Sequence, residues 1–386
     1  MEVSLWQVIS IFIIVIVRSW GGGSMKRSLG ISIYPEHSTV EKDKAYLKLA
    51  SEYGFTRVFT CLLSVNKPKE DIVREFKEII EYATDLGYEV ILDVAPAVFD
   101  QLGISYDDLS FFHDMGATGI RLDVGFDGAK EAMLTFNPYE LAIEINMSNN
   151  VAYLDNILTY QPNAPFLYGC HNFYPQKGTG LDYDFFVKCS SRFKKHGIRT
   201  AAFINSHSAT LGPWSINDGL CTLEMHRDLP IDVQAKHLFA TNLIDDVIIG
   251  NAYASREELE ALSKVNRYQL ELSVEVLTDS STIEKDIMFN EQHFRRGDMT
   301  KQAVRSTEVR KKHTQSDIPL HDHMQTFQCG DVVIGNNNFG KYKGELQIIL
   351  EECYDERKNK VGKVVDEELF LLDFVDAWTK FKLKEK

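Results

Sequence analysis

The stretch Thr84-Asp85-Leu86-Gly87-Tyr88-Glu89-Val90-Ile91-Leu92-Asp93-Val94-Ala95, TDLGYEVILDVA, changes character at its glycine. Before Gly87 the apolar residues recur at helical spacing; after it they run on almost unbroken, rich in Val and Ile. Glycine suits the left-handed residue that ends a helix. A short β-branched run, apolar on both faces, suits a parallel strand covered by helices. The same junction recurs as SEYGFTRVFTCL at Gly54, HDMGATGIRLDV at Gly116 and KKHGIRTAAFIN at Gly197. A repeated helix–glycine–strand unit is the signature of βα architecture.

Working outward, eight runs read as strands: 29–33, 57–61, 89–94, 119–124, 142–146, 166–171, 200–204 and 247–250. Amphipathic helices are predicted between them, among others over 40–53, 72–86, 183–196 and 231–241. Eight such units over roughly 240 residues predict an α/β fold, a (β/α)8 TIM barrel, rather than an open sheet. No G-x-G-x-x-G follows any of these strands, which weakens a dinucleotide-binding alternative. From YQLELSVEVL onward, short alternating runs separated by polar turns predict a smaller, mainly antiparallel β domain. The boundaries read as 25–266 for the barrel and 267–386 for the β domain.

Residues 1–24 fit neither template for an apolar leader. The run Val3–Val17 is short for a membrane span, Glu2 stands where a signal peptide has basic residues, and Arg18 follows the apolar run. An upstream, non-native segment with Met25 as the effective start, a signal or anchor, and a structural role all remain open. The segment is left out of the fold reading.

The composition, 44% hydrophobic and 25% charged, is that of a globular protein, and the net charge of −14 argues against nucleic acid or an anionic membrane surface as the partner. Six cysteines show no C-x-x-C pair and no framework spacing, so reduced, buried thiols of a cytoplasmic protein are expected.

Barrel enzymes work at the C-terminal ends of their strands. That rim is predicted to carry Tyr34, Glu36 and His37 after the first strand, Asp93 after the third and Asp123 at the end of the fourth. Asn146, Ser148 and Asn149 follow the fifth; His171, Asn172 and Tyr174 follow the sixth; Asn205, Ser206 and His207 follow the seventh, ahead of the loop TLEMHR with Glu224, His226 and Arg227. Ser255 and Glu258 read as a capping box at the helix after the eighth. Carboxylates, amides and aromatics on one rim suit carbohydrate chemistry, in which one carboxylic acid protonates the leaving oxygen and a second group acts on the opposite face. Any single such residue is as readily a helix cap or a satisfied backbone partner.

The blocks SIYPE, RLDVGF, EINMSN, HNFYPQKGTGL and TLEMHR, with GDVVIGN and FGKYKGELQI near the C-terminus, resemble the 6-phospho-N-acetylmuramidase family, glycoside hydrolase family 170. The resemblance spans nearly the whole chain from Met25. It implies a barrel followed by a cyclophilin-like β domain. It also implies a cytoplasmic glycosidase cleaving the β-1,4 bond between 6-phospho-N-acetylmuramic acid and N-acetylglucosamine in recovery of cell-wall peptidoglycan. The implied partner is a phosphorylated muramyl disaccharide, and the reaction type requires no cofactor. Two readings stand beside it: another phosphosugar barrel enzyme, such as an aldolase or epimerase, and a non-enzymatic surface-attached carbohydrate-binding protein. No lysine stands on any of the eight strands to form a Schiff base, which weakens the aldolase.

Asp123 and Glu36 are the principal catalytic candidates, with Asp93 in reserve and Glu144 a further candidate; the substrate's acetamido carbonyl is a second candidate nucleophile. Tyr34, Arg121, Asn146, Asn149, His171, Asn172, Tyr174, Asn205 and Glu224 are expected to bind substrate. His226 and Arg227 are expected to hold the phosphate, with Lys177 and arginines of HFRRGD and AVRSTEVRKK as further donors. No metal is expected: His321-Asp322-His323 has no third ligand at suitable spacing and reads as a polar loop. Glu144, in YELAIEINMSN, is a carboxylate inside a strand pattern. A period of two turns Glu144 and Asn146 into the barrel, as it does Arg121 and Asp123 on the preceding strand. Arg121 is therefore the expected partner of Glu144, one step below Asp123, with that pair holding Asp123 in place.

Overall fold

The structure is a computed structural model describing residues 26–62, 68–94, 102–123, 125–321 and 326–386. Eight parallel strands close in chain order: β1 (Ser28–Ile33), β2 (Arg57–Leu62), β3 (Glu89–Val94), β4 (Gly119–Leu122), β5 (Ala142–Asn146), β6 (Leu167–Cys170), β7 (Arg199–Ile204) and β8 (Asp246–Ile249), which pairs back to β1. Around them run α1 (Val40–Glu52), α2 (Lys69–Asp85), α3 (Ser110–Asp114), α4 (Ala129–Leu134), α5 (Tyr153–Thr159), α6 (Tyr183–Lys195), α7 (Ile231–Ala240) and α8 (Arg256–Ser263). All eight predicted strands are present, their ends shifted by a residue or two. The largest shift is at β4, which stops at Leu122 and leaves Asp123 in a bend.

The repeated glycines do what their position demands. Gly54, Gly87, Gly116 and Gly197 have φ of +76°, +87°, +85° and +70°, the left-handed region in which a Cβ is strained. The strand alternation holds as well. Ile120, Leu122, Ile143 and Ile145 face the helices and are fully buried, while Arg121 and Glu144, paired in register, face the interior. Ser255 caps α8 and forms the expected box with Glu258.

The second domain is a seven-stranded sheet in the order β10-β15-β9-β14-β12-β13-β11, with one short helix, α9 (Thr282–Phe289), before β10. Its strands are β9 (Leu270–Val276), β10 (His293–Phe294), β11 (Ala303–Ser306), β12 (Asp331–Gly335), β13 (Leu346–Ile349), β14 (Lys358–Val364) and β15 (Lys380–Glu385). All neighbours are antiparallel except β15 and β9. The sheet packs on α7: Val233 enters its apolar core, and Lys236 bonds Glu368 at 2.6 Å and Ser273 Oγ at 3.2 Å. Among the described residues no helix is long and apolar enough to cross a membrane. The Val3–Val17 run lies outside them, as do Asp322 and His323 of the candidate metal loop. Among the described residues no cluster of His, Cys, Asp and Glu could hold a metal ion.

Candidate active site at the barrel mouth

Two layers of charge are stacked inside the barrel. The lower one is built by Arg57, at the start of β2. Its Nη1 bonds Asp246 on β8, and its Nη2 crosses the interior to Glu144 on β5. Arg199 joins from β7, reaching Asp246 at 2.8 Å and Glu89 at 3.0 Å. Gly30 lies beside Arg57 in register, and a Cβ there would come within 3.2 Å of the Arg57 Cβ, so the missing side chain leaves the arginine its room. Arg57 and Glu144 are 1% and 0% exposed, and an ion pair at that depth must be well matched to persist. This corrects the expected Glu144–Arg121 pair. The two are register neighbours, but Arg121 turns toward the rim, where two carboxylates and an amide await it, and Glu144 takes the arginine from across the barrel.

The upper layer is centred on that Arg121. Nη1 bonds Asp123 Oδ1 at 3.0 Å and Asp93 Oδ2 at 3.3 Å, and Nη2 donates to Asn172 Oδ1 at 2.5 Å. Asp93 is nearly buried, and that burial pushes its carboxyl up to about 6, with the Asp123 charge adding and Arg121 opposing. Asp123 is more open, its side chain 54% exposed. Above them the mouth encloses about 160 Å³, walled by Phe59, Phe173, Phe203, Pro213 and Trp214 beside Cys61. The three phenylalanines meet edge to face, with centroids 5.0 to 6.0 Å apart, and Trp214 extends the wall from 5.9 Å with half its surface exposed. The result is a carboxylate pair facing a ring-stacking surface. Glu36, half-buried in the turn after β1, lies close enough that its charge adds to burial and Asp93 in raising the Cys61 thiol. His37 Nε2 contacts the Pro213 carbonyl at 3.1 Å, tying that turn to the Trp214 loop.

The remaining expected residues divide. Tyr174 is half-buried, its hydroxyl set against Ser148; burial chiefly raises it. Asn146 is half-buried at the end of β5, accepting from Ser148 N at 2.8 Å, and Asn149 is exposed beyond it. Others make scaffold contacts. Tyr34 is buried and donates to the Gly250 carbonyl, closing β1 on the end of β8. His171 falls one step out of phase with Cys170, so it points outward beneath α6, between Ser148 Oγ at 3.1 Å and Ser190 Oγ at 2.8 Å. Burial there pulls it down to about 3. Asn205 accepts from Leu220 N at 3.1 Å and braces the following loop.

The expected phosphate pair is likewise committed. Arg227 forks onto Glu224 at 2.8 and 2.7 Å, and its other donors go to the carbonyls of Tyr174, Gln176, Asp218 and Gly219. Glu224 also accepts from Gly178 N and Gly180 N, and with Arg227 first these bonds draw it down to about 2. His226 is fully buried and meets His237 of α7 at 2.7 Å, facing away from the mouth. Lys177 is exposed and reaches Asp228 at 3.5 Å. The sequence reading missed the aromatic wall. The alternation that turns Arg57 inward also turns Phe59 and Cys61 inward, and was a usable signal; Trp214, in a long loop, carried none.

Residues 29–264 match the family model described as 6-phospho-N-acetylmuramidase, N-terminal, and residues 270–384 match the one described as 6-phospho-N-acetylmuramidase, C-terminal. Among solved structures, an uncharacterized B. cereus protein is 62% identical with a TM-score of 0.88, covering 93% of this chain and 100% of its own. A conserved protein of unknown function from Enterococcus faecalis is 25% identical with a TM-score of 0.69, covering 93% of this chain and 96% of its own. No curated protein matches the chain.

Proposed function

The chain belongs to the 6-phospho-N-acetylmuramidase family, and from that premise we propose that its barrel mouth hydrolyses the β-1,4 bond between 6-phospho-N-acetylmuramic acid and N-acetylglucosamine. The cellular role that goes with this reaction is cytoplasmic recovery of cell-wall fragments. The observation that carries the reading is the sharing of Arg121 by Asp93 and Asp123 at the floor of an aromatic-walled mouth.

Asp93 takes the part of general acid. A carboxyl raised to about 6 by burial is protonated at mildly acid pH and in a minor fraction at neutral pH, and that form can give its proton to the leaving oxygen. Asp123, paired to Arg121 and open to solvent, orients the group that attacks the anomeric carbon, whether its own oxygen or the acetamido carbonyl of the substrate. Oxygens that bond one nitrogen lie closer together than the roughly 6.5–9.5 Å that lets a water stand between inverting carboxylates, so retention is the outcome this spacing favours. Glu36, half-buried over Cys61, becomes the reserve rather than the principal acid. Phe173 and Trp214 supply the face on which a sugar ring stacks.

Incubation with the phosphorylated muramyl disaccharide, read by mass spectrometry, should yield the two monosaccharides, and proton NMR of the first product should show the β anomer. An intact disaccharide after prolonged incubation would refute the reading.

A further inference from the structure

We propose that the crevice at the other end of the barrel, between its strand N-termini and the β domain, binds a small phosphate-bearing anion through Arg27 and Arg267. This crevice is larger than the described part of the mouth, about 300 Å³. It lies at the opposite pole: Arg27 precedes β1, Asn242 precedes β8 and Arg267 follows α8, whereas the mouth is built from strand C-termini.

The two arginines are crossed. Arg27 Nη1 donates to the Arg267 carbonyl, and Arg267 Nη1 returns the bond to the Arg27 carbonyl at 3.1 Å. Arg27 Nη2 goes to Asn242 Oδ1 at 2.8 Å. Every one of these acceptors is neutral, and among the described residues neither guanidinium forms an ion pair. The acids beneath are committed elsewhere: Asp245 bonds Lys194 at 2.8 Å, and Asp246 is held by Arg57 and Arg199. Lys380 and Lys384 line the same crevice from β15 and likewise form no ion pair among the described residues. Glu271, bonded to the Asn266 amide, and Glu385 line it as well, so four cations outside ion pairs (Arg27, Arg267, Lys380 and Lys384) face two such carboxylates, while Lys236, Lys264 and Lys386 answer Asp232 and Glu368, Glu260 and Glu275.

In a chain of net charge −14, two half-buried guanidiniums side by side with no contact ion pair among the described residues form a local positive site of the wrong sign for its surroundings. Burial draws both below the ordinary arginine range, and the opposing pull of Asp245 on Arg27 and of Asp246 on Arg267 does not offset it. The Arg27 guanidinium also lies over the rings of Phe239 and Tyr268, 5.5 and 5.8 Å from their centroids. Nη1 and Nη2 of Arg27 each make one bond to a neutral acceptor, which leaves each a second N–H to offer a phosphate oxygen. The exposed Tyr268 ring leaves a face beside that guanidinium for the organic part of an ester.

Calorimetric titration of the full chain with inorganic phosphate and with glucose 6-phosphate, at constant ionic strength, tests this directly. Saturable binding is expected, weakened about tenfold or more in Arg267→Gln and in Lys380→Ala/Lys384→Ala. The second variant changes only exposed side chains, so it keeps the test open if the first fails to fold, and its disaccharide hydrolysis should equal that of the parent. Tighter binding of the ester identifies a phosphorylated metabolite as the ligand, and equal binding identifies free phosphate. No saturable binding of either probe, or binding that survives the lysine substitutions unweakened, would overturn the proposal.

Discussion

Asp93 and Asp123 bond the same nitrogen, Nη1 of Arg121, although one carboxylate is nearly buried and the other half exposed. One guanidinium therefore holds two carboxylates in different environments, the condition under which they take different roles.

Asp93→Asn and Asp123→Asn should each lower kcat by about a thousandfold or more. Arg121 keeps a carboxylate and Asn172 in either variant, so Tm should fall by no more than about 4 °C, roughly 1 kcal/mol. Steady-state kinetics beside thermal melts check both parts. Turnover near that of the parent in either variant removes that residue from the chemistry.

The pH dependence follows from Asp93. Its folded-state value of about 6 lies above the unfolded one, so the folded chain prefers the protonated form. The stability this confers is present below about pH 4 and is lost as pH rises through about 6, a span worth about 3 kcal/mol. The kcat/KM profile should fall through the same region, since a general acid works protonated. In Asp93→Asn both the falling limb and the matching change in melting temperature should be absent. A parent profile flat between pH 5 and 7 contradicts the assignment.

Glu144→Gln should act on stability first. It leaves Arg57 buried with one carboxylate instead of two, a loss of about 3 kcal/mol or more. Because the Glu144 charge is the last of the causes that raise Asp93, behind burial and Asp123, the surviving folded enzyme should keep a pH–rate limb, moved only slightly toward lower pH. A strongly shifted limb with an unchanged melt would return Glu144 to the chemistry.

Arg227→Ala separates scaffold from ligand. The side chain fastens four carbonyls and Glu224, so its loss should loosen the loop and raise KM for phosphorylated and unphosphorylated disaccharides alike. A rise confined to the phosphorylated substrate would restore Arg227 as a phosphate ligand. Trp214→Ala should instead raise KM about tenfold with the melt unchanged, since half of that ring is exposed.

The barrel was legible because its signals are local. A glycine that must be left-handed and an apolar run that follows it are both contained in a dozen residues, as at Gly87. The facing of Arg121 and Glu144 was legible for the same reason, from a period of two. The partner of Glu144 was not, because Arg57 comes from three strands away and the reach of an arginine across a closed interior leaves no mark in adjacent register. The outward turn of His171 hangs on one step of that period, and a loop arginine such as Arg227 looks alike in sequence whether its donors meet carbonyls or a ligand. The pairing of Asp93 with Asp123 fell between: both were on the rim by sequence, but only the turn of Arg121 toward them brings them together.

The cross-barrel arginine also constrains how this chain can change. Arg57 ties β8 to β5 through the interior, so its tolerance is a property of three positions at once. Replacing Arg57 strands Glu144 without a partner in a sealed space, and replacing Glu144 or Asp246 leaves the guanidinium one carboxylate instead of two, whereas exchanging all three together for well-packed apolar side chains removes the buried charges at once and leaves Arg199 its pair with Glu89. Random drift one residue at a time should therefore find these sites closed, and a library that varies them jointly should find them open.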